Sequence, residues 1–136
     1  MAYDNLTDLI DGLVTLDIPL VSETSRFKYP PNQVNTAQLP IMFVGFPEID
    51  QSTGSFNGGA GQERISLEFV ILVGPVLHNT NQANHSSSIL IMTQLRQALE
   101  DDTMSLGLDS WNIKLSTNQL GDTTYWSIIS TVMASK

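Results

Sequence analysis

The chain has 136 residues, with 14 Asp and Glu against 6 Lys and Arg, a formal net charge of −8 and no cysteine. A chain of this size makes one domain and buries about two-thirds of the surface its unfolded form exposes, so it can carry its own core. Disulfides and thiolate metal sites are excluded, and so few cations cannot grip a duplex by neutralising its phosphates.

Acidity favours solubility and repels polyanions, which suits a surface that DNA slides past without binding. The start "MAYDN" has no basic leader region. The longest apolar run, Phe69 to Val73, falls far short of the ~20 residues a membrane helix needs. The expectation is a soluble chain made and used inside a cell, with no membrane contact.

Along the chain, Asn5 to Leu16 has helical spacing. Leu6, Leu9, Ile10, Leu13 and Val14 form one apolar stripe. Asp4 or Asn5 can cap its start, Asp8 suits the dipole in the first turn, and Pro19 follows the end. "SRFKY" then alternates Arg26 and Lys28 with Phe27 and Tyr29, predicting a short strand that Pro30-Pro31 stops. "LPIMFVGF" (Leu39 to Phe46) predicts a strand buried on both faces and ended by Pro47.

Ile65, Leu67, Phe69, Ile71 and Val73 alternate with Arg64, Ser66 and Glu68, predicting a half-buried strand that Gly74-Pro75 terminates. Val76 to Ser88, rich in Asn and Ser, reads as a loop. Ser86, Ser87 or Ser88 then caps a second helix with Ile91 or Met92, Leu95, Ala98 and Leu99 on its apolar stripe. That helix is expected to end near Glu100, before acids that a C-terminal dipole disfavours. Two strands around a turn at Leu120-Gly121-Asp122 close the chain as a hairpin, one holding Trp111, Ile113 and Leu115, the other running from Tyr125 to Met133.

These elements predict a single α+β domain over residues 1–136. Its core is an antiparallel sheet of about four strands, with two amphipathic helices packed on one face. A long hairpin loop spans about sixteen residues, Pro47 to Gln62, where such connections usually hold about two to five. The loop is either a projecting arm that orders against a neighbouring subunit or an idle insertion.

The loop's glycines, Gly54, Gly58, Gly59 and Gly61, raise the question of a phosphate cradle. A P-loop needs a following Lys-Ser or Lys-Thr, and a dinucleotide fingerprint must open a helix. Here a strand follows, so no helical amide end is available to hold phosphate. The residues read as a hairpin connection.

Other constellations are weaker. His78 and His85 sit in a polar stretch without the further ligands a zinc site requires. No G-x-S-x-G elbow supports a Ser-His-Asp triad. Glu100, Asp101 and Asp102 lack the alternation and central glycine of a calcium loop. "RFKY" can be read as a patch for single-stranded nucleic acid. An edge strand guarded by Arg26 and Lys28 explains the same residues, and the net charge favours that reading. Trp111 and Trp126 read as core or subunit-contact anchors. Neither catalysis nor a cofactor is expected.

The succession of an N-terminal helix, "RFKYPPNQ", "LPIMFVGFPEI", a glycine-rich loop, "ERISLEFVILVG", "SSSILIMTQLRQAL" and "GDTTYWSIISTVMA" resembles the tail terminator, or tail completion, proteins of long-tailed bacteriophages. The resemblance covers most of the chain. It rests on element order and length, with "KYP", "LP" before the first buried strand and an aromatic near the start of the last strand as local marks.

The resemblance implies a structural virion protein at the tail–neck junction, assembled in the host cytoplasm. Such proteins form a homohexameric ring on the last disc of the tail tube. The ring ends tube growth and presents a surface to the head-completion (neck) proteins. DNA passes through its channel without specific binding. Candidate ring or tube contacts are Arg26, Lys28 and Tyr29, with Phe56, Asn57, Gly58, Gly59, Gly61 and Arg64 of the loop. Two alternatives stay open: a head-closure or connector protein on the portal side, and a small cytoplasmic ligand-binding domain or enzyme.

Overall fold

The protein is described by a computed structural model, which describes residues 6–31, 38–51, 63–76 and 81–135. Helix α1 spans Leu6–Val14 and buries Leu9 and Leu13. A three-residue 3-10 turn, Glu23–Ser25, leads into strand β1, Arg26–Phe27. Strands β2 (Ile41–Gln51) and β3 (Glu63–Pro75) form the long hairpin. Helix α2 (Asn81–Leu106) is followed by β4 (Leu108–Leu120) and β5 (Thr123–Ser135).

Among the described residues, five strands form one sheet in the order β1-β2-β3-β5-β4. The class is α+β, as the sequence predicts, with more strands than the expected four or so. The sheet is also not wholly antiparallel: β1 runs parallel to β2, pairing Arg26 with Met42 and Phe27 with Phe43. Both helices contribute to one core with Met42, Val44, Ile65, Leu67, Phe69, Ile71, Ile128 and Val132, which all point to one side of the sheet. A smaller cluster, Ile41, Phe43, Val70, Leu72 and Tyr125, fills the opposite face beside Phe27 and Leu39. The middles of β2 and β3 are therefore buried on both faces, which is why their sequences are apolar without alternation.

Three boundaries differ from the sequence expectation. Pro47 does not end β2. The register shifts between Val44 and Pro47, and the strand continues to Gln51, paired through Ile49 with Ile65. Proline is tolerated there because the outer side of β2 has no strand partner at that point among the described residues and the ladder is already irregular. The connection between β2 and β3 shortens to residues 52–62, which lie outside the described residues with Phe56, Asn57, Gly58, Gly59 and Gly61.

Helix α2 begins at Asn81, not in the Ser86–Ser88 run. Its first turns are polar and carry no apolar period. Buried Ser88 is accommodated because its hydroxyl donates to the Asn84 carbonyl at 2.8 Å, one turn back. The helix also runs past Glu100. Arg96 pairs with Glu100 at 2.9 Å and Gln97 donates to Asp101 at 2.9 Å, so these acids sit in the helix body with i,i+4 partners. Gly107, at φ 68°, takes the left-handed position that stops the helix. Gly121, at φ 63°, makes the two-residue turn between Leu120 and Thr123.

Candidate subunit interface

Arg26 is the most heavily bonded candidate. Its Nη1 donates to the carbonyls of Val14, at 3.0 Å, and Leu16. Its Nη2 donates to Ile18 and Val21, each at 3.0 Å. The planar fork thus gathers the C-terminal end of α1 and the irregular segment after it onto the start of β1. Burial draws the guanidinium below its ordinary pKa, and Glu23 and Asp17 pull it back up. It stays charged at any working pH. With both terminal nitrogens committed, Arg26 holds its own chain together and has little to offer a partner.

Lys28 and Tyr29 differ. Lys28 Nζ lies 2.6 Å from Asp11 on α1, both side chains well exposed. Tyr29 is 66% exposed, its ring tilted against Phe27 with centroids 6.4 Å apart. These two residues form an accessible patch beside β1. Arg64 is also exposed, but it stands at the far end of the hairpin, level with position 50 of β2. Arg26 pairs at position 42, so eight residues of β2 separate the two groups, about 25 Å of strand. The structure therefore brings Arg26, Lys28 and Tyr29 together and leaves Arg64 apart.

A second surface, missed in the sequence, lies along β4. Ile89, Met92, Thr93 and Arg96 of α2 and Trp111 and Ile113 of β4 line an open, mainly apolar groove of about 410 Å³. Beside it Ile89 and Leu90 are exposed on α2. The signal was present: Ile89 and Leu90 fall off the stripe of Ile91, Leu95 and Leu99, so that the helix carries apolar residues on a second side. Trp111 and Trp126 pack against the rim of the main core, as their reading as anchors expected.

His85 is exposed on α2, with its ring edge-on to Trp126 at 5.2 Å between centroids. His78 lies outside the described residues. Among the described residues no group of three or more His, Asp or Glu could hold a metal ion, and no helix is long and apolar enough to cross a membrane. A second cavity, of about 500 Å³, is lined by Val14 to Asp17 with Glu23 and Arg26. Its polar wall is the same arginine knot.

No protein-family model matches the chain, and no curated protein matches it in sequence.

Proposed function

We propose that this chain is a ring-forming tail terminator of a long-tailed bacteriophage. It caps the tail tube, stops its polymerisation and joins the tail to the neck proteins around a channel for DNA. The carrying observation is the order of elements within one sheet: a helix, a short edge strand, a long hairpin, a second helix and a closing hairpin. That is the order on which the resemblance of the sequence rests. A net charge of −8 supports it, because a channel wall must pass DNA without gripping it. The β2–β3 hairpin supports it too, because beyond Phe43 the outer side of β2 has no strand partner among the described residues and can meet a neighbour.

The test is light scattering of the purified chain alone and with isolated tail tubes. A ring terminator assembles into a closed oligomer, with or without tubes, and blocks further addition of tube protein. A monomer that ignores tubes at every concentration sinks the proposal. Capture by portal protein in place of tube protein would move the chain to the head-closure side of the neck.

A further inference from the structure

Among the described residues, the sheet ends in two open edges. Strand β4 is an edge over all 13 of its residues. On the opposite side, β1 covers β2 only at Met42 and Phe43, and among the described residues no strand pairs with the outer side of β2 beyond them. Proteins usually blunt such edges with charge, proline or a covering element. Here the β4 edge adjoins the apolar groove, and the β2 edge carries Ile49, 54% exposed.

The two edges complement each other in direction. The β2–β3, β3–β5 and β5–β4 pairs are all antiparallel, so β2 and β4 run opposite ways. In a head-to-tail ring, rotation about the axis brings β2 of one copy antiparallel to β4 of the next. This is a heterologous contact of the kind that closes rings.

They also complement each other in register. Through Ser66 and Met133, Glu48 lies level with Ser110 of its own chain. Sliding the neighbour from Ser110 to Lys114 sets Glu48 opposite Lys114 and, one residue on, Ile49 opposite Ile113. That single stagger serves both faces. Ile49 shares the helix side with its partner Ile65, and Ile113 lines the groove on that side. Glu48 and Lys114 are exposed on the other face and have no ion-pair partner among the described residues. A stagger between strands is what closing a curved sheet demands.

We propose that β2 of one copy extends the sheet of the next by pairing with β4. Ile49 enters the groove between Met92, Trp111 and Ile113, and Glu48 faces Lys114. This deepens the ring reading and rests on it only for closure. The chain has no native cysteine, so Ile49→Cys with Ile113→Cys gives a clean test. Within one chain the two positions are three strand spacings apart across the sheet, about 14 Å, and offset by at least four residues along it, well beyond the reach of about 7 Å between disulfide-linked Cα atoms. Any 49–113 disulfide must join two copies.

Mild oxidation of the double variant, at high concentration and on tail tubes, is expected to give a ladder of covalent oligomers. Peptide mapping should assign the linkage to residues 49 and 113. Glu48→Lys and Lys114→Glu should each weaken association about fivefold, and the two together should restore it. If oligomers form but no 49–113 linkage appears, the edge pairing is overturned and the ring reading survives on another surface. If the linkage forms but the chain ignores tubes, the edge pairing stands and the terminator reading falls. If neither appears, both fall.

Discussion

Asn84 occupies the space that a side chain at position 74 would need. A Cβ built on Gly74 would fall 2.6 Å from Asn84 Cγ, while Asn84 Nδ2 donates to the Pro75 carbonyl at 2.8 Å. The contact fixes the first turns of α2 against β3 where the β3–β5 register shifts, between Leu72 and Gly74. Gly74→Ala should push the carboxamide aside and break that hydrogen bond, costing about 1–2 kcal/mol. Trimming the obstacle should relieve the clash, so Gly74→Ala with Asn84→Ala should cost less than the two single changes added together. Urea unfolding of the four-member cycle measures the coupling.

Removing the fork at position 26 releases four backbone carbonyls at once. Arg26→Ala is expected to lose about 3 kcal/mol of stability. Arg26→Lys should recover only part of it, because a single ammonium cannot span two carbonyl pairs. The pH dependence has a definite sign. Burial lowers the folded-state pKa of this cation, so in the window between the folded and unfolded values the unfolded chain holds the extra proton and stability rises with pH. That window lies in the arginine range, so the difference between wild type and Arg26→Lys should stay flat from about pH 5 to about pH 9. A slope across neutral pH in chemical denaturation would refute the assignment.

Phe69 is fully buried at the centre of β3, beneath both helices. Phe69→Ala should cost about 3–5 kcal/mol through lost transfer energy and the cavity left behind. Calorimetry should show a lower melting temperature. By contrast, Lys28→Ala removes one exposed ion pair and should change stability by less than about 1 kcal/mol. If Lys28 contacts a tube, its loss shows in tube binding and not in melting.

Duplex DNA should not bind the assembled protein. With 14 acids against 6 bases there is no source for the counterion release that drives such complexes. Fluorescence anisotropy at low salt, where any attraction is strongest, checks this. Saturable binding there would overturn the view of a non-gripping channel.

Much of the fold was legible because the core residues follow simple periods. Leu9 and Leu13 share a helical stripe, and Ile65, Leu67, Phe69, Ile71 and Val73 alternate onto the helix side of β3. What was illegible has a common cause: polar contacts and tertiary support override local signals. The polar start of α2 showed no period, yet Asn84 is held by a strand carbonyl. Pro47 reads as a breaker, yet an outer strand tolerates it. The acids from Glu100 read as a helix end, yet i,i+4 partners keep them inside and Gly107 supplies the stop. Arg26 reads as a surface cation, because nothing in "SRFKY" reveals that four carbonyls from the preceding segment converge on it. Whether Ile113 faces core or groove depends on where α2 lies, which no window of sequence around β4 contains.

The shortness of β1 acts as a ruler. Pro30 and Pro31 stand three and four residues beyond Phe27, and a residue without an N–H cannot go on adding rungs beside β2. Had that strand kept its register for six more residues, it would have covered the flank on which Ile49 stands. Two prolines would in that sense decide whether the molecule is self-contained or sociable.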